Sequence, residues 1–95
     1  MLRVRIPAGV REVKVEGGRI AFKADAGKGM ASAKEVHADL RSEGWKEQVA
    51  AFEGPAGAAS LQKGNVSVTI SYTDVGLGDA EVTLDAIGAT LARKP

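Results

Sequence analysis

Cysteine is missing from this chain, which excludes disulfide staples and thiolate metal sites. The single histidine, His37, leaves a structural zinc site without enough ligands. No apolar run approaches the ~18 residues of a membrane span. The net charge of +1 sets up no strong field toward nucleic acid or anionic lipid. Aromatic side chains are limited to Phe22, Trp45, Phe52 and Tyr72. The core must therefore rest on Val, Leu, Ile and Ala, with each aromatic anchoring a large share of it. The opening Met1-Leu2-Arg3-Val4-Arg5 alternates like a strand and lacks the apolar centre of a signal peptide. An exported parent protein would carry its signal outside this segment.

What is present describes a small globular fold. Ninety-five residues suffice for one core, so residues 1–95 read as a single domain. Twelve glycines favour tight turns over long helices. Charge is unevenly placed: Arg3, Arg5, Arg11, Lys14, Arg19 and Lys23 outnumber Glu12 and Glu16 at the start, whereas Asp74, Asp79, Glu81 and Asp85 have no basic neighbour between residues 64 and 92. Mutual neutralisation of the two segments in the fold is the preferred reading, ahead of two faces of opposite sign.

The clearest passage is residues 12–23. Gly17-Gly18 suits a type I′ turn, which needs positive φ at both central positions. That register sets Glu16 against Arg19, Val15 against Ile20, Lys14 against Ala21, Val13 against Phe22 and Glu12 against Lys23. One face of the hairpin is then Val13, Val15, Ile20 and Phe22, and opposite charges pair on the other. Before it, Leu2, Val4 and Ile6 alternate as a short strand ending at Pro7-Ala8-Gly9.

Ser32 and Glu35 have capping-box spacing, which predicts a helix over residues 33–43 with Ser32 as N-cap. Ala33, Val36 and Leu40 share its buried face, and Lys34, Ala38 and Arg41 face water. Gly44 fits the left-handed C′ position, and Trp45 should fold back on Leu40 in a Schellman ending. Residues 46–52 read as a strand. A second hairpin, 58–63 with 66–72, turns at Gly64-Asn65. In it Val66, Val68, Ile70 and Tyr72 share a face with Ala59 and Leu61, while Ser67, Thr69, Ser71 and Thr73 line the other. Residues 81–91 close the domain as a strand with Val82, Leu84 and Ala86 inward, bulged near Gly88. Strands around one amphipathic helix predict an α+β fold: an antiparallel sheet with the helix packed on one face. Parallel crossovers are not required.

Candidate sites are few. Gly27-Lys28-Gly29 lacks the Ser or Thr after lysine and the leading glycine of a phosphate-binding loop, because Gly29 and Phe22 stand there. Asp74, Asp79 and Glu81 sit in a glycine-bearing loop without the spacing of an EF-hand, so a solvated loop is preferred to a calcium site. His37 has no nucleophile or carboxylate beside it on the helix, and reads as a boundary residue rather than a general base. Asn65-Val66-Ser67 is a formal glycosylation sequon whose plainer meaning is turn chemistry. Arg3, Arg5, Lys14, Arg19 and Lys23 suggest a basic strip, but without interleaved aromatics it offers no stacking platform for single strands.

Ile6-Pro7-Ala8-Gly9, Gly18-Arg19-Ile20-Ala21-Phe22 and Leu40-Arg41-Ser42-Glu43-Gly44-Trp45 resemble a loose family of small, uncharacterised bacterial α+β domains of envelope-associated or exported proteins. In them a helix ends in leucine, three variable residues and Gly-Trp before returning to sheet. The likeness covers about residues 6–52 and consists of structural positions. It implies no catalytic residue, and favours an envelope or secreted location over a cytoplasmic one.

The sequence thus points to a non-enzymatic interaction or accessory domain of a larger bacterial protein. It needs no cofactor and no metal, and its partner is a protein rather than nucleic acid. The face it would use is Ser67, Thr69, Ser71 and Thr73, or else a sheet edge. The alternative is a carrier of a small apolar ligand, with Trp45, Phe52 and Tyr72 lining a pocket between helix and sheet.

Overall fold

The computed structural model describes residues 1–94. In chain order the elements are β1 (Leu2–Val4), β2 (Arg11–Glu16), β3 (Arg19–Ala24), α1 (Gly29–Ser42), β4 (Lys46–Ala51), β5 (Ala56–Lys63), β6 (Val66–Thr73), β7 (Ala80–Ile87) and β8 (Leu91–Arg93). Six strands form one sheet in the order β2-β3-β7-β6-β5-β4, antiparallel at every pairing. α1 lies across one face of it, chiefly over β6 and β7 and reaching β3 and β5. The fold is α+β, as the alternation of strands about a single helix requires.

Beside the helix sits a feature the sequence did not announce: β1 and β8 pair parallel as a separate two-stranded ribbon. The expected single strand over residues 81–91 breaks at Gly88, whose φ of +91° turns the chain. A Cβ there would stand 2.7 Å from the Asn65 carbonyl oxygen, so the site accepts only glycine. β8 then leaves the sheet, and the Leu91 N–H donates to the Gly17 carbonyl at 2.8 Å. The parallel pair arises because opposite parts of the chain meet, without a βαβ crossover.

The β2–β3 hairpin keeps the expected pairs Lys14–Ala21, Val15–Ile20 and Glu16–Arg19, but its turn differs. Gly17 has φ +54° while Gly18 lies outside the left-handed region, the pattern of a type II′ turn. Gly18 is committed elsewhere: its carbonyl accepts the Ala86 N–H at 2.7 Å. Further out the register slips, so that Arg11 opposes Lys23 and Glu12 takes φ +52° in a bulge. Glu12 still reaches Lys23 at 3.3 Å. Ile20 and Phe22 are buried, whereas Val13 is half-buried and Val15 is 42% exposed. β2 is an edge strand beyond the main footprint of the helix, where Val13 packs on the margin of the core and Val15 lies open.

The helix buries Gly29, Ala33, Val36 and Leu40, the expected stripe extended by one turn. Its end is a Schellman motif: Trp45 N–H donates to the Leu40 carbonyl at 3.2 Å, and Gly44 N–H to that of Arg41 at 3.1 Å. Gly44 has φ +95°, and Trp45 is buried in the core with Leu40, Leu61, Ile70 and Leu84. Its start is four residues earlier than the capping box suggests. Lys28 is the N-cap residue, and Ser32 sits in the first turn with its N–H donating to the Lys28 carbonyl.

Candidate functional site

The N–H of Gly29, first residue of α1, is met from across the chain. Asp74, just after β6, accepts the N–H of Gly29 at 2.9 Å and of Gly27 at 3.1 Å through its two carboxylate oxygens, and that of Gly76 at 3.0 Å. These bonds, with Gly29 the largest influence, hold the Asp74 carboxyl below the usual carboxylate range. The anion slot of Gly27-Lys28-Gly29 is thus filled by the chain's own carboxylate. Asp79 instead accepts from Arg11 at 2.7 Å, and Glu81 lies on β7 opposite Lys23. The three carboxylates of this loop diverge, and among the described residues no three His, Cys, Asp or Glu side chains converge to hold a metal ion.

His37 gains a neighbour that its own helix does not supply. Its Nε2 stands 2.8 Å from Glu47 Oε1 on β4, close but without the alignment of a hydrogen bond. Phe52 meets the imidazole edge-on, with ring centroids 5.4 Å apart. Phe52 also tilts against Tyr72 at 5.9 Å, and the Tyr72 hydroxyl donates to the Gly54 carbonyl at 3.0 Å. Trp45 and Tyr72 belong to the central core and Phe52 packs on its margin. A surface hollow reaches Tyr72 beside Met30 and Pro55; Trp45 and Phe52 take no part in it. Glu47 was invisible from sequence because the contact depends on how β4 lies along α1.

The charged segments meet as neighbouring strands. Arg19 donates to Asp85 at 2.7 Å across β3 and β7, and Arg11 bridges Asp25 and Asp79. Hydrogen bonding to these carboxylates raises both guanidinium pKa values. The basic strip is thereby divided: Arg19 and Lys23 have acidic partners, while Arg3 and Arg5 sit apart on and after β1.

Opposite the helix, the sheet has a second face that none of the described elements covers. Ser67, Thr69, Ser71 and Thr73 run along the middle of it, because their neighbours Val68, Ile70 and Tyr72 point into the core. Register extends this line sideways. Thr69 stands between Ser60 and Asp85, and Ser71 between Ala58 and Thr83. Thr73 stands between Ala56 and Glu81, and Ser67 between Gln62 and Ile87. Small side chains keep the surface low, and a shallow hollow of about 150 Å³ opens near Ala21 and Thr83. Two apolar residues flank the strip on the same face: Ile87, 75% exposed, and Val49, 61% exposed, which pairs with Ser60. β4 forms an outer edge, paired only with β5 and solvent-exposed at every residue.

Among the described residues no helix is long and apolar enough to cross a membrane. Comparisons of the chain with family models, curated proteins and solved structures return no match.

Proposed function

We propose that this domain is a non-enzymatic interaction or accessory module of a larger bacterial protein, working through the uncovered sheet face. The observation that carries the reading is the asymmetry of the sheet. One face is sealed by α1 around Ile70 and Leu84, while the other presents the contiguous strip Ser67, Thr69, Ser71 and Thr73 beside exposed Ile87 and Val49. Low hydroxyl-bearing side chains let a partner approach closely and still offer hydrogen bonds, and the flanking aliphatics supply apolar area. Backbone groups along the free edge of β4 provide a second point of attachment for an extended segment.

The test is affinity capture of a partner from the source cells with the domain and a Thr69→Arg variant, with Lys34→Glu on the outer side of the helix as control. The variant should lose the partner and the control retain it. Equal recovery by all three would refute the use of this face.

A further inference from the structure

The ion pairs leave an imbalance that the near-neutral total charge conceals. Arg11, Arg19 and Lys23 each meet a carboxylate, but among the described residues Arg3, Arg5 and Arg93 have none within ion-pair distance. Arg3, on β1 beside Ala92, and Arg93, the β8 partner of Val4, belong to one ribbon, and Arg5 follows β1 directly. An open depression of about 550 Å³ lies on the ribbon, lined by Met1, Arg3, Ala92, Arg93 and Lys94, and among the described residues no carboxylate side chain lines it. Lys94 is already neutralised: its ammonium donates to both oxygens of Glu43 at 3.0 Å. On the ribbon, the side chains without a described carboxylate partner are the guanidinium groups, whose planar forks match carboxylate oxygens two by two.

The backbone points to the kind of ligand. Leu2 N–H donates to the Thr90 carbonyl, and Lys94 N–H to that of Val4, so residues 2 and 4 turn their polar groups toward β8. Arg3 lies between them and turns its N–H and C=O the other way, where the described residues provide no partner. Arg3 and Arg5 are two residues apart on extended chain, about 7 Å, the spacing of alternate side chains on a second extended strand. From the charge and the free edge together, we infer that β1 receives an extended acidic peptide segment, with carboxylates at alternate positions meeting Arg3 and Arg5. This site is separate from the outer sheet face and does not rest on its use.

Fluorescence anisotropy with a labelled (Glu-Ser)5 peptide tests it, with (Gln-Ser)5, oligothymidine and anionic lipid vesicles as comparison ligands. The acidic peptide should bind, weaken steeply between 50 and 500 mM salt, and lose about tenfold in affinity in Arg3→Gln/Arg5→Gln. Arg19→Gln and Thr69→Arg should bind as wild type. All these positions are exposed, and thermal melting checks that each variant folds. Absence of binding, equal binding of the glutamine peptide, or indifference to the double substitution would overturn the assignment. So would tighter binding of oligothymidine or vesicles through the same arginines, since the surface would then serve a different polyanion.

Discussion

The carboxylate of Asp74 gathers three backbone N–H groups from two loops, tying the start of α1 to the turn after β6. Its folded pKa is depressed, so the stabilisation is fully present above the ordinary carboxylate range and is lost as pH falls through the lower folded value. Asp74→Asn should lower the urea midpoint at pH 7, and its deficit relative to wild type should shrink toward pH 3. A deficit that stays constant over that range would show that the charge is immaterial. Gly29 belongs to the same latch, since a Cβ there would stand 2.9 Å from both Ala80 Cβ and Asp74 Cβ. Helix propensity alone favours alanine over glycine by about 1 kcal/mol. The clash reverses that sign: Gly29→Ala should cost about 1–3 kcal/mol in equilibrium unfolding.

Among the elements, α1 divides into an end readable from sequence and a start that is not. Gly44 and Trp45 follow within five residues of the Leu40 and Arg41 carbonyls they bond to, so residue order alone specifies the Schellman ending. The start depends on an aspartate 45 residues from Gly29, and no local pattern contains it. Ser32 and Glu35 have the right spacing, yet the tertiary acceptor allows the helix to begin a turn earlier. The β5–β6 hairpin was legible for the same reason as the helix end: strict alternation and a two-residue turn lie within one stretch. Strand β2 shows the converse. Its valines alternate correctly, but whether anything covers Val15 is settled by the width of the helix. Gly44→Ala places a Cβ at φ +95° and should cost about 1–2 kcal/mol, seen as a lower urea midpoint with an unchanged slope. A neutral result would mean that the helix end is free to rearrange.

For the whole molecule, the hydroxyl strip was legible as a set of side chains sharing a face, because alternation is a local property. That the face lies open depends on there being one helix and on where the ribbon packs. The same holds for charge. Arg19 and Asp85 could be matched as members of oppositely charged segments, but the isolation of Arg3, Arg5 and Arg93 emerges only once residues 88–93 leave the sheet.

The ribbon has a mechanical consequence. Because β1 and β8 run side by side in the same direction at opposite extremes of the described chain, tension applied through residues 1 and 94 loads their hydrogen bonds in shear, all at once rather than one by one. Single-molecule pulling along that axis should meet this clasp before any strand of the six-stranded sheet peels away. Glycine–serine linkers attached instead at residues 17 and 64, both in exposed turns, should bypass it and give a different force peak. Identical traces in the two geometries would mean that the clasp bears no load.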